Sequence, residues 1–168
     1  MKHLVKYILK FFKSVDLFEA EKKIKFKLSN NYKFYKFNSL RDIKLKEIDA
    51  YFKEFKEKKK RFNKGCYFLT LIYKKKLVSS GWLFEGNVWN IEEIDKNIFI
   101  KKKYLIFDFF TIPSERGKGH YTNLLKIIRR KFQDKKIIIY SLSSNFKSKR
   151  AIVSAGFKFK GNLKNFSK

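Results

Sequence analysis

Thr111-Ile112-Pro113-Ser114-Glu115-Arg116-Gly117-Lys118-Gly119-His120-Tyr121-Thr122 is the stretch on which the fold turns. Upstream, Tyr104 to Thr111 is apolar on both faces apart from Asp108, the pattern of a central strand. Downstream, Leu124, Leu125, Ile128 and Phe132 recur at helical spacing, which predicts a helix over 120–132. A buried strand thus runs through Pro113, the only proline, into a glycine-rich loop that opens a helix. Such a loop leaves the first-turn N–H groups unpaired, its glycines let a ligand approach the backbone, and the helix dipole adds positive potential. Arg116 and Lys118 add full charges, so the loop suits a pyrophosphate. Two nucleotide loops are excluded by spacing. A dinucleotide fingerprint needs a third glycine where Thr122 stands, and a P-loop needs Ser or Thr where Gly119 follows Lys118. The alternative, a tight turn made by Gly117 and Gly119 alone, stays open on these residues.

Working outward, Lys136 to Leu142 reads as a buried strand, Phe146 to Ala155 as a short helix, and Phe157 onward as a final strand. Before the central strand, Cys66–Tyr73, Lys76–Phe84 and Val88–Ile94 read as strands joined by turns at Lys74-Lys75 and Gly86-Asn87. Residues 40–62 carry Leu45, Ile48, Phe52 and Phe55 amid charge, a helix with a solvated face that stops at Gly65. Ile24–Leu28 and Tyr32–Phe37 flank Asn30-Asn31 as a hairpin. Leu4, Ile8, Phe11 or Phe12 and Val15 predict an amphipathic helix, assigned to residues 1–20 and packed on a single domain spanning 1–168. Lys64 to Leu71 echoes the basic-Gly-aromatic strand of RNA-recognition modules but lacks the stacking aromatics, so it is read as a helix stop and a core strand.

The order strand, Pro113, Arg116-Gly117-Lys118-Gly119, helix, Ile137-Ile138-Ile139-Tyr140, then Asn145, Ser148 and Gly156-Phe157 resembles the GNAT superfamily of N-acyltransferases. The resemblance covers about residues 104–160. It implies an α/β fold: a mixed, mostly antiparallel sheet of six to seven strands with helices on both faces. It further implies that the parallel strands 104–111 and 136–142 splay apart. It also implies acetyl-CoA as co-substrate and no metal, with Arg116, Gly117, Lys118, Gly119, His120, Tyr121 and Thr122 on the pyrophosphate, His120 pointing toward phosphate, and Asn145 and Ser148 completing the binding set. Backbone N–H groups of Phe109, Phe110 and Thr111 would polarise the thioester carbonyl. Two positions depart from the family pattern: Tyr121 stands where a small residue is usual, and Ile152 where many members carry a tyrosine that serves as general acid for the departing thiolate.

For the base that takes the ammonium proton, Asp108 ranks first, since a carboxylate among Phe107, Phe109 and Phe110 would be desolvated. Strand alternation assigns Asp108 to the Ile106/Phe110 face and Glu93 to that of Trp89 and Ile91. Glu93 ranks second and His120 third. The departing thiolate would take its proton from Tyr140, Ser143 or water, with water favoured. Trp82, Trp89 and Tyr104 are candidates to stack on an acceptor, beside Glu92.

Composition bounds these readings. The chain has 168 residues, 44% of them hydrophobic and 18% aromatic, enough for one buried core and too aromatic for disorder. One cysteine excludes an internal disulfide, and two distant histidines argue against a metal site. No run approaches a transmembrane span, and lysines break any signal-peptide core, so a soluble cytoplasmic protein is expected, as monomer or homodimer. The net charge of +27 comes from 36 lysines and only six arginines. Arginine is the residue that reads phosphate by a bidentate fork, so the charge is read as compositional, without sequence-specific nucleic-acid binding. The expected function is acetyl transfer to a primary amine, such as a nucleotide-linked amino sugar or another anionic small molecule. A protein N-terminal acetyltransferase is the alternative within enzymes. A non-catalytic basic module binding nucleic acid or membrane is the alternative outside them.

Overall fold

Strands whose residues are apolar on both sides must be covered on both faces, and the architecture follows from that requirement. The computed structural model describes residues 13–20, 26, 27, 29–43 and 56–164. Its strands are β1 (Ser14–Ala20), β2 (Tyr32–Phe37), β3 (Cys66–Tyr73), β4 (Lys76–Glu85), β5 (Val88–Ile91), β6 (Lys96–Phe99), β7 (Lys103–Thr111), β8 (Lys136–Leu142) and β9 (Lys158–Lys164). The helices are α1 (His120–Lys131) and α2 (Phe146–Ser154), with a 3-10 helix at Lys56–Lys64. Seven strands form one sheet in the order β2-β3-β4-β7-β8-β1-β9, antiparallel except for β7 beside β8. β5 and β6 form a separate hairpin.

One face of the sheet presents Leu69, Leu71, Leu83, Ile106, Ile137 and Ile139 to Leu124, Leu125 and Ile128 of α1 and Ile152 of α2. The other presents Phe68, Trp82, Leu105, Phe107 and Ile138 to Phe62 of the 3-10 helix and to Trp89 and Ile98 of the hairpin. Each such side chain contributes roughly 1.5–3 kcal/mol by leaving water. The mixed, mostly antiparallel sheet with helices on both faces is therefore as the sequence implied.

Three expectations are corrected. Residues 14–20 are strand, not helix: β1 lies inside the sheet between β8 and β9. Asp16 and Glu19 are buried there as ion pairs, so the apolar alternation that marks a strand is missing. Residues 1–12 lie outside the described residues, as do 44–55, the middle of the helix expected over 40–62. β2 pairs with β3 rather than with residues 24–28, of which only Phe26 and Lys27 are described, as irregular backbone. The strand expected at Val88–Ile94 ends at Ile91, and a turn at Glu92–Asp95 leads into β6.

The feature that shapes the site is a β-bulge. Ser80 opposes Phe110 and Trp82 opposes Phe107, so Gly81 faces two residues, Asp108 and Phe109. Asp108 absorbs the extra residue with a φ of 49°, a left-handed conformation that Asp tolerates. Gly81 is required because the Phe109 ring covers it; a Cβ there would come within 2.4 Å of the ring. Parallel pairing of β7 with β8 spans Lys103–Ile106 against Lys136–Ile139 and stops before the bulge. Beyond Ile106 that edge of β7 has no strand partner among the described residues.

Candidate functional site

At the open end of β7 the chain passes through a short 3-10 turn, Pro113–Glu115, into the loop 116–119 and then α1. Gly117 and Gly119 hold φ angles of 78° and 77°, where L side chains are strained. A Cβ on either would meet nothing within 4 Å, so the space above the loop is open. Gly119 is the N-cap of α1 with no side-chain cap and no acidic residue in the first turn. The helix therefore offers its first N–H groups and the positive end of its dipole to that space. Lys118 is exposed and bonds Glu115 at 3.1 Å. Arg116 folds back, its Nε donating to the Thr111 carbonyl at 3.1 Å. Open space over two glycines, an uncapped helix start and Lys118 nearby are features that suit an anion.

The bulky Tyr121 is accommodated by turning away from the loop. Its ring lies 5.1 Å from that of Phe109, and its hydroxyl is 3.2 Å from Ser148 Oγ on α2. Burial pushes the Tyr121 phenol well above its ordinary value, against the opposing hydrogen bond from Ser148. Asn145 caps α2 by accepting the Ser148 N–H at 3.1 Å. Ser79 Oγ donates to the Phe110 carbonyl at 3.1 Å and fixes the strand end beside Thr111.

On the opposite face of the sheet a second group of side chains meets the same split. Asp108 is ion-paired with Arg61 of the 3-10 helix at 2.5 Å. The Arg61 guanidinium lies over Trp82 and Phe107, 5.3 and 5.2 Å from the ring centres. Trp89 packs 4.3 Å from Phe107 and 4.8 Å from Phe84. Burial raises the Tyr140 phenol, and the negative charges of Glu93 and Asp108 raise it further, while Trp89 and Arg61 pull it down. Trp89 Nε1 is buried yet makes no hydrogen bond of normal geometry. Asp108, Glu93, Trp89 and Tyr140 are thus brought together by β7, the β5–β6 hairpin and β8. Glu92, in the same turn, is exposed.

Several expectations change. Asp108 is not desolvated among phenylalanines: its side chain is 35% exposed and faces Arg61, because the bulge breaks the alternation that assigned it to the Ile106 face. Glu93 lies in a turn, not on a strand. His120 does not point to phosphate; it is 3% exposed and turned inward to Tyr32 and Glu115. Trp82, at 1% exposure, is packed by Phe62 and Phe68 and has no face for a ligand. Tyr104 is buried at the far end of β7, where it bonds Asp134 and meets Phe132. The Ser143 hydroxyl is committed to Asp16 and Asn162. Arg61 escaped sequence reading as part of a solvated helix face; its only signal was being one of six arginines among 36 lysines.

No sequence-family model matches the chain, and no curated protein matches it. Solved structures do. A GNAT-family acetyltransferase from Colwellia psychrerythraea superposes with a TM-score of 0.55 at 14% identity, over 89% of this chain and 53% of the other. A GCN5-related N-acetyltransferase from Sphaerobacter thermophilus gives 0.56 at 9% identity, over 89% and 49%. An aminoglycoside acetyltransferase from an uncultured soil metagenomic sample gives 0.56 at 11% identity, over 84% and 98%. This chain has the GNAT fold. It spans about half the length of the first two structures. Within the GNAT fold, the glycine loop at the head of α1 and the bulged β7 lie in the region the sequence motifs marked.

Proposed function

We propose that this chain is an acetyl-CoA-dependent N-acetyltransferase whose acceptor is the primary amine of a small molecule. The observation that carries the reading is the parting of β7 from β8 directly after Ile106 and Ile139, next to an uncapped helix N-terminus. One slot thereby joins an anion cradle to a cluster of carboxylates and a phenol on the opposite face. Bound there, acetyl-CoA supplies an activated acetyl thioester. The loop 116–122 would hold its diphosphate, with Asn145 and Ser148 bordering it on α2. Past Ile106, where β7 no longer pairs with β8, the backbone N–H groups at Phe109, Phe110 and Thr111 are assigned to the developing oxyanion. Holding amine and thioester together makes attack effectively intramolecular.

Asp108 is the assigned base on its position at the bulge rather than on desolvation, and its proton uptake is opposed by Arg61; Glu93 is next in line. Tyr140, kept protonated, is the O–H assigned to the departing thiolate in place of the residue that Ile152 replaces. Trp89 and Glu92 border the acceptor side. A small-molecule acceptor is supported by likeness to an aminoglycoside acetyltransferase whose structures hold trehalose and sisomicin. The amino-sugar assignment made from sequence is kept on that basis. Titration calorimetry with acetyl-CoA tests the reading. Wild-type protein is expected to bind, and Gly119→Val, which puts a β-branched residue at positive φ in the cradle, is expected to bind at least tenfold more weakly. Absence of binding by the folded wild type would overturn the proposal.

A further inference from the structure

The glycine loop is closed at its base by a hydrogen-bonded chain that no motif contains. Glu115, the residue before the loop, and His120, the residue after it, meet through Oε2 and Nε2 at 3.1 Å. His120 Nδ1 is 2.9 Å from the Tyr32 hydroxyl on β2. Tyr32 in turn receives Asn123 Nδ2 at 3.2 Å, which brings the chain back to α1 one turn further on. One arrangement uses every proton: Asn123 donates to Tyr32, Tyr32 donates to Nδ1, and Nε2–H donates to the Glu115 carboxylate. The imidazole is 3% exposed and lies against the rings of Tyr32 and Tyr73, at 5.7 and 5.2 Å. Lys118, inside the loop, bonds the same Glu115 oxygen. Lys118 foremost, and then His120, hold the Glu115 carboxyl below its ordinary range.

We propose that His120 is a positioning residue for donor binding: with Glu115 and Tyr32 it forms a clasp that sets the span of the loop 116–119. The inference rests on the acyl-CoA reading of that loop. Four residues containing two glycines have many backbone conformations, and ordering them only on binding would cost affinity. A fixed bond across their base removes much of that cost before the ligand arrives. Anchoring the imidazole to β2 ties the loop to the sheet rather than to α1 alone. Glu115 also holds Lys118 beside the cradle, from which its ammonium transfers to an arriving phosphate without a large search.

Calorimetry with coenzyme A and with S-acetylpantetheine, which lacks the diphosphate, separates the possibilities. His120→Ala is expected to weaken coenzyme A binding at least tenfold and leave S-acetylpantetheine within twofold. Tyr32→Phe, which removes one oxygen, is expected to weaken coenzyme A about threefold with an unchanged melting temperature, and it decides the matter if His120→Ala does not fold. Unchanged coenzyme A affinity in the folded variants, or equal losses for both ligands, would overturn the clasp. Failure of the wild type to bind coenzyme A would instead overturn the donor assignment on which the clasp rests.

Discussion

Asp108 and Arg61 meet at 2.5 Å across the face of the sheet opposite α1, at a position of β7 whose φ is made positive by a bulge. The bulge therefore does two jobs. It ends the pairing of β7 with β8, and it swings a carboxylate out of the core to a cation held over Trp82 and Phe107. Asn also tolerates the left-handed region, so Asp108→Asn removes charge and basicity while keeping the bulge. We expect kcat to fall by ~10²–10⁴-fold, with coenzyme A affinity changed less than threefold. Near-normal turnover would make Asp108 structural and pass the role to Glu93.

Gly81 is the counterpart of that bulge on β4. Its φ is unremarkable for a strand, so Gly81→Ala tests space alone: the new methyl meets the Phe109 ring at 2.4 Å. Overpacking of this kind costs about 1–3 kcal/mol, readable by denaturant titration. Phe109→Ala removes the clash, so the double variant should lose clearly less than the sum of the two single losses. Strict additivity would show that the ring does not lie over Gly81.

Asp16 is the buried junction of three elements, accepting from Lys149 of α2, Asn162 of β9 and Ser143. Burial alone would raise its carboxyl, but hydrogen bonds from Lys149, Asn162 and Ser143 outweigh it and hold the group below its ordinary 3.8. A folded value below the unfolded one means stability that is complete above the unfolded value and lost as pH falls through the folded value. Acid unfolding of the wild type should therefore steepen below about pH 4. Asp16→Asn, less stable at neutral pH by roughly 1–3 kcal/mol, should show a shallower acid slope; an identical slope would remove Asp16 from the account.

Cys66 is 2% exposed, and burial pushes its thiol to about 11, against the pull of Arg61 and Lys64. Since the thiolate is the reactive form, native protein should resist maleimide at pH 8 and react completely in denaturant. Fast labelling of native protein would show that β3 opens at its start.

Elements with strong local signals were legible from the sequence alone. The spacing of Leu124, Leu125 and Ile128 marks α1, the apolar runs of β7 and β8 mark central strands, and the positive φ of Lys74, Lys75, Gly117 and Gly119 lies where turn residues stood. The glycine loop that opens α1 was readable for the same reason: it is built from consecutive residues. Tertiary structure alone decided the rest. β1 sits between β8 and β9, more than a hundred residues away in sequence, and its buried Asp16 and Glu19 are tolerable only because lysines from α2, β7, β8 and β9 reach them. The side chain of Asp108 faces Arg61 because one extra residue opposite Gly81 cancels the two-residue period on which a strand's faces are read. His120 turned inward because Tyr32, 88 positions earlier, offered its hydroxyl from the edge of the sheet. Local patterns are written in one segment's own backbone geometry; pairings between distant segments depend on which chain the fold brings alongside.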